Sequence, residues 1–453
     1  MIHRFESNGH RLMLDVNSSS VCDLDEISYK LLPFIGKNMQ RSLPVEASKS
    51  LSRYTHDELS ETWNELFELK QNGRLFSPDI YGKYKNVGDK APIKSMCLNV
   101  AHDCNLRCSY CFASTGNFGG ERKLMSFSVG KKAIDFLIAH AGNRRQLEID
   151  LFGGEPMMNF DVVKKLVAYG REAEKKAGKV IRFTTTTNAL LLDDERIDFI
   201  NREMYNVVLS IDGRQAIHDK MRPRADGTGS YETILANIKR LVNNRKSGTC
   251  YVRGTFTREN LDFSKDVLSL ADEGFQDISI EPVILPKDHP LALREEDLPR
   301  IFEEYDTLAN EIIHRQREGR GFNFFHFMID MEHGPCAIKL LRGCGCGNEY
   351  IAVTPEGDIY PCHQFVGNED FKMGSVLDQS VDQSMKDTFS KANIFTKDKC
   401  NDCWAKFFCS GGCNANNHAM QGNILAPFDI SCALERKRLE CALMIQSELQ
   451  TNA

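Results

Sequence analysis

Cys104, Cys108 and Cys111 lie in the run AHDCNLRCSYCFA at C-x3-C-x2-C spacing. Three thiolates on one tight loop match three irons of a four-iron cluster and leave the fourth iron open to a substrate-like ligand. A ferredoxin supplies four protein ligands per cluster, and a structural zinc site also closes four, so the missing fourth cysteine is the informative feature. Sixteen cysteines scattered at random through 453 residues would give about 0.02 such triplets, which makes coincidence a poor rival. Other polar groups recur where strand patterns end. Gly153-Gly154-Glu155-Pro156 follows one such pattern, Thr187-Asn188 ends the next, Ser210-Ile211-Asp212-Gly213 ends a third, and Arg253 lies on a fourth. Recurrence at strand ends places these groups near one rim of a barrel-like sheet; a plain turn, strand capping or a surface ion pair is the alternative for each.

The remaining cysteines are concentrated late in the chain. Cys344 and Cys346 precede Cys362 in TPEGDIYPC; Cys400, Cys403, Cys409 and Cys413 follow, and then Cys432. Eight thiolates suffice for two further clusters in a stretch too poor in apolar periodicity to fold by burial alone, with structural zinc as the alternative. Cys22, Cys97, Cys250, Cys336 and Cys441 stand outside these patterns and read as buried or incidental thiols. So many thiols imply a reducing compartment, because disulfides rarely account for them in a chain without an export signal. The opening MIHRFESNGHRLMLDV alternates apolar and polar residues and lacks a signal peptide's apolar core, so a cytoplasmic location is expected. No window approaches a membrane span, and a net charge of −6 without a basic run argues against nucleic acid as a partner.

The elements that must carry these groups fall into blocks. Residues 1–77 read as a small domain: strand-like runs at Ile2 to Phe5, Arg11 to Val16 and Val21 to Leu24, then helical patterns around 26–33, 45–54 and 57–72. Residues 78–94 are rich in Gly, Pro and Lys and read as a linker. From 95 to 283, six buried strand patterns alternate with amphipathic helices, such as 161–176 with Val163, Leu166, Val167 and Gly170 on one face. Six units are fewer than the eight of a closed barrel, so an α/β fold built on a partial (β/α)6 TIM-like barrel is expected. Residues 284–340 form a bridging region whose helix, 296–318, should bury Phe302, Tyr305, Ala309 and Ile312. From 341 to 453, periodicity fades and Gly and Cys dominate.

The segment 95–283 resembles the radical S-adenosylmethionine (SAM) superfamily, with Tyr110 at the aromatic position favoured before the third cysteine and Gly153-Gly154-Glu155-Pro156 similar to the GGEP motif. In such enzymes the open iron chelates the amino and carboxylate groups of SAM, and an electron from the cluster releases a 5′-deoxyadenosyl radical. The resemblance implies that the GGEP backbone and Glu155 accept hydrogen bonds from the SAM ammonium. It places Ser210 at the ribose, Arg253 at the carboxylate, Asn188 and Asp212 at the pocket border, and Arg222 in HDKMRPR as a less direct member. The late cysteines resemble the SPASM pattern, which implies two auxiliary four-iron clusters, three clusters in all. Carried over, Cys400, Cys403, Cys409 and Cys432 hold the outer one, and Cys344, Cys362 and Cys413 the inner one. Cys346 either completes the inner set, replaces Cys344, or leaves an iron open to a substrate thiolate.

The leading residues resemble the winged-helix-like recognition element of ribosomal-peptide maturation, which binds a leader peptide as an added strand. The order of the three parts is similar to that of the thioether-forming SCIFF maturases. That resemblance implies a small cysteine-rich precursor peptide with a leader as partner, a reductant such as flavodoxin or ferredoxin, and a cysteine-sulfur to threonine-carbon crosslink. Other radical SAM peptide modifications, and a non-catalytic iron-sulfur binding protein, are the alternatives. Sulfatase-maturing relatives carry an acidic residue where His363 follows Cys362, so formylglycine formation is disfavoured.

Overall fold

The computed structural model describes residues 1–85, 91–330 and 336–450. Parts of the expected linker (86–90) and of the expected bridging region (331–335) lie outside the described residues. The chain opens with three antiparallel strands, Ile2–Ser7, His10–Asp15 and Ser20–Asp23, paired in that order. Asn8 and Gly9 both take positive φ in the first turn, the conformation a tight hairpin needs and the Asn-Gly pair tolerates. Because strand side chains alternate, Met13 packs into a local core with Leu31, Leu59, Trp63 and Leu66, while Leu12 and Leu14 enter the main core. The helix His56–Gln71 starts with a capping box between Thr55 and Glu58.

The main sheet is built on six parallel strands: Ser95–His102, Gln146–Gly153, Val180–Thr187, Met204–Ser210, Thr249–Phe256 and Asp277–Pro282. They pair in chain order, with helices such as Phe160–Ala177 between them. That helix buries Val163, Leu166, Val167 and Gly170, the face its period predicts. Gly170 is required by packing, since a Cβ there would fall 2.4 Å from the Phe183 ring.

Two features depart from the sequence reading. The sheet does not stop at the sixth strand: Asn323–Phe324 adds beside Asp277–Pro282, and Tyr350–Val353 adds in parallel beside Ser95–His102, followed by antiparallel Asp358–Tyr360. The cysteine-rich region is therefore continuous with the barrel sheet. A 22-residue helix, Asp429–Gln450, also lies where regular periodicity is absent. Cys441, Ala442, Leu443, Met444 and Ile445 are buried in succession, so this helix is covered on several sides and shows no single apolar stripe. It packs on Leu298–Arg317, where Lys437 pairs with Asp306 at 2.6 Å and Arg438 Nε donates to the Tyr305 hydroxyl at 2.8 Å. The stripe of Leu298–Arg317 is Ile301, Tyr305, Leu308, Ala309 and Ile312, and Phe302, expected inside, is only half-buried. Among the described residues no helix is long and apolar enough to cross a membrane.

Candidate active site

The C-terminal ends of five of the six strands, with the cysteine loop that follows the first, line a cavity of 280 Å³. Cys104, Cys108, Tyr110, Cys111, Gly153, Gly154, Asn188, Ser210 and Arg253 all line it. Residues from five strands or strand ends and from the cysteine loop thus converge on one space, as the rim argument requires.

The loop is fixed by backbone contacts on both sides. Gly154 N–H donates to the Ala101 carbonyl at 2.7 Å and Glu155 N–H to the Asp103 carbonyl at 2.8 Å, joining the GGEP turn to the approach of Cys104. Arg107 N–H donates to Pro223 at 2.8 Å and Ser109 N–H to Met221 at 2.9 Å, joining the loop to the segment after the fourth strand. A Cβ on Gly153 or Gly154 would sit 2.2 Å from a carbonyl oxygen, so only glycine permits this approach.

Glu155, Pro156 and Asp212 are buried behind the cavity wall rather than on it. The Glu155 carboxylate accepts from Met157 N–H at 3.0 Å, Thr187 Oγ1 at 2.7 Å and Asn188 N–H at 2.7 Å, which ties the GGEP turn to the third strand end. Burial pushes its carboxyl up to about 7, against the pull of these donors. Asp212 receives the Tyr110 hydroxyl at 2.6 Å, and Arg222 Nε stands 3.0 Å away, with its guanidinium 5.4 Å from the Tyr110 ring centre. Arg222, a lesser candidate by sequence, lines the cavity and supports the loop.

His363, singled out in the sequence because it follows Cys362, lines the cavity, and so do Thr255, Glu281, Gln364 and Asn416, which the sequence did not single out. Thr255 and Glu281 follow the strand-end rule and were legible by it; the other three depend on how the cysteine-rich region folds back. Burial, reinforced by the charge of Arg253, pushes the His363 imidazole down to about 4, so it is neutral at pH 7. Its Nδ1 lies 3.0 Å from the Tyr350 hydroxyl.

The late cysteines separate into two groups. Burial pushes the Cys346 thiol up, with Cys362, Cys344 and Cys413 adding to it, while Cys346 holds the Cys362 thiol down. Cys400 interacts with Cys432 and Cys403, and Cys409 with Cys432 and Cys400. Among the described residues no three His, Cys, Asp or Glu side chains converge tightly enough for one metal ion, whereas a four-iron cluster takes each ligand on a separate iron. Burial pushes Cys104 up to about 12 and Cys108 to about 11, a cost that cationic iron offsets by displacing the protons. The donor set and the glycine cradle fit an iron-sulfur cluster with a small polar ligand beside it.

The radical SAM superfamily model matches residues 98–270 of this chain. An uncharacterised protein of Methanocaldococcus jannaschii is 31% identical over 277 residues, 61% of this chain and 86% of that protein. The chain belongs to the radical SAM superfamily. A model of the SPASM iron-sulfur cluster-binding domain matches residues 344–404 of this radical SAM protein. Its cofactors are SAM with a SAM-binding four-iron cluster, and auxiliary clusters. It is also similar to the cysteine-type anaerobic sulfatase-maturating enzyme of Clostridium novyi (24% identity over 338 residues, 70% of this chain and 86% of the relative). The radical SAM cyclopropyl synthase TigE of Paramaledivibacter caminithermalis is 20% identical over 453 residues, 93% of this chain and 89% of the relative. In fold, the chain resembles native anSMEcpe with bound AdoMet and Kp18Cys peptide: TM-score 0.66, 18% identity, 80% of this chain and 100% of that one.

Proposed function

We propose that this protein matures a ribosomally made, cysteine-rich peptide by joining a cysteine sulfur to a threonine carbon. The observation that carries the reading is the shared wall: one cavity is lined by the Cys104 to Cys111 loop and by His363, Gln364 and Asn416 from the cysteine-rich region. Phe112 and His363 lie 5.6 Å apart between ring centres, so the loop after Cys111 meets the residue after Cys362. A relative solved with AdoMet and a peptide, and another named a cyclopropyl synthase, support an assignment to peptide chemistry.

When bound, the reduced cluster and SAM supply a 5′-deoxyadenosyl radical able to abstract a substrate hydrogen atom. Cys104, Cys108 and Cys111 would hold the cluster, while Asn188, Ser210, Arg253 and the Gly153-Gly154 backbone would orient SAM. Glu155 acts through the backbone it fixes. Asp212 and Arg222 act through Tyr110, holding the loop against displacement. The four thiols Cys344, Cys346, Cys362 and Cys413 would hold the inner auxiliary cluster, which would take up the one electron released when the substrate sulfur joins the carbon radical; with all four in place the cavity rather than an open iron would position that sulfur. His363 lines the cavity, with its Nδ1 3.0 Å from the Tyr350 hydroxyl, and would take up the thiol proton. Residues 1–77 would bind the leader along Ser20–Asp23, an edge strand that among the described residues pairs with His10–Asp15 alone. A flavodoxin or ferredoxin would supply the electron.

The test is anaerobic incubation of the reconstituted protein with SAM, reductant and a leader-bearing cysteine-rich precursor peptide, followed by thiol alkylation and mass spectrometry. Each crosslink should remove two hydrogens and one alkylatable thiol. Loss of hydrogens with every thiol still alkylated would replace thioether formation by another radical modification, and an unchanged peptide would reject this substrate.

A further inference from the structure

Lys397 is buried, with 4% of its surface exposed, where the two groups of late cysteines approach each other. Its Nζ donates to the Gly411 carbonyl at 2.7 Å and to the Gly412 carbonyl at 3.3 Å. These glycines link Cys409, in one group, to Cys413, in the other. Gly411 has φ +84°, and a Cβ there would lie 2.8 Å from Lys397 Cδ, so the link is shaped around the lysine stem. On its other side, Cys400 N–H donates to the Lys397 carbonyl at 3.3 Å. Burial works against the ammonium charge, while Cys400 and Cys409 of the outer group and Cys413 and Cys344 of the inner group favour it.

Among the described residues no carboxylate pairs with Lys397, whereas Lys406, a second buried lysine of this region, stands 3.9 Å from Asp79. An ammonium with only carbonyl partners is costly to bury unless an anion is supplied. A four-iron cluster ligated by four thiolates is such an anion, and its charge sets its potential. We propose that Lys397 is the shared counter-cation of the two auxiliary clusters and raises the reduction potential of both. Reduction adds an electron to a centre that is already negative, so a fixed positive charge facing both centres favours the reduced form of each. Lys397 does this without ligating iron. The inference rests on the assignment of the eight late thiols to two clusters, and wild-type iron content tests that assignment separately.

The experiment is an anaerobic redox titration of the reconstituted full chain, followed by electron paramagnetic resonance, for wild type, Lys397→Gln and Lys397→Arg. The Gln amide still donates to the glycine carbonyls but carries no charge. It should disfavour reduction of both auxiliary clusters by about tenfold or more, about 59 mV for a one-electron couple, and leave the SAM-binding cluster unchanged. Lys397→Arg should stay within about threefold of wild type. Unchanged auxiliary potentials in loaded Lys397→Gln would overturn the proposal, as would a shift confined to one auxiliary cluster or an equal shift in all three. If Lys397→Gln loses auxiliary iron while Lys397→Arg keeps it, a charge requirement is supported. Loss from both variants marks a packing role and overturns the proposal.

Discussion

The Tyr110 hydroxyl donates to Asp212 Oδ2 at 2.6 Å, joining the cysteine loop to the end of the fourth strand across 102 positions of chain. The other oxygen of the same carboxylate accepts the Thr255 N–H at 3.0 Å and faces Arg222 Nε at 3.0 Å. One buried carboxylate therefore connects the loop, two strands and a buried cation.

Asp212→Asn should leave Arg222 buried without its counter-charge, at a cost of about 3–5 kcal/mol, whereas Tyr110→Phe, which removes one hydrogen bond, should cost about 1 kcal/mol. Unfolding midpoints and iron content of the two reconstituted variants check the order. An Asp212→Asn protein as stable and as fully loaded as wild type would show that the pair does not hold the loop.

Gly154→Ala places a Cβ 2.2 Å from the Asp103 carbonyl and 2.8 Å from Gly116 Cα, so either the turn or the cysteine loop must move. Iron should fall from about twelve per chain to about eight, as it should when Cys104, Cys108 and Cys111 are replaced together by Ala. Full loading of Gly154→Ala would mean that the cradle tolerates the displacement.

Acid should destabilise the fold through His218. Burial pushes this imidazole down to about 4; Nδ1 accepts the Asp212 N–H at 3.2 Å and Nε2 lies 3.0 Å from Ser230 Oγ. The unfolded chain takes the proton near pH 6.5, so between about 6.5 and 4 it binds more protons than the folded chain, and stability falls as pH falls. The contribution, on the order of 3 kcal/mol, is complete above about pH 6.5 and lost on approach to about 4. His218→Gln should flatten the change in unfolding midpoint between pH 7 and pH 5; an unaltered slope would assign it to other groups.

Much of the fold was legible because parallel strands buried on both faces read as apolar runs and their helices as single stripes. Val163, Leu166, Val167 and Gly170 are such a stripe. The strand-end rule located Asn188, Ser210 and Arg253 on the cavity. Glu155 shows what residue type alone does not reveal: its carboxylate accepts from Thr187, Asn188 and Met157 and so also ties the GGEP turn to the third strand end. The helix Asp429–Gln450 was hidden by burial on several sides, and Tyr350–Val353 by its four-residue length within a Gly- and Cys-rich run.

Leader binding should depend on the free edge of Ser20–Asp23. Leu24 N–H points inward to the Arg11 carbonyl, so by strand alternation the Val21 N–H points out. Val21→Pro deletes that donor while keeping an apolar side chain. Precursor affinity should drop by about tenfold, while SAM cleavage without peptide is retained. Unchanged affinity would place the leader elsewhere.

The most direct test of the central claim is mass spectrometry of the 5′-deoxyadenosine formed anaerobically from SAM in the presence of precursor peptide deuterated at threonine. Deuterium should appear in the 5′-deoxyadenosine made by wild type, and no 5′-deoxyadenosine should form when Cys104, Cys108 and Cys111 are all Ala. Unlabelled 5′-deoxyadenosine from wild type, beside a crosslinked peptide, would contradict threonine as the site of hydrogen abstraction; 5′-deoxyadenosine from the triple variant would contradict the assignment of the loop itself.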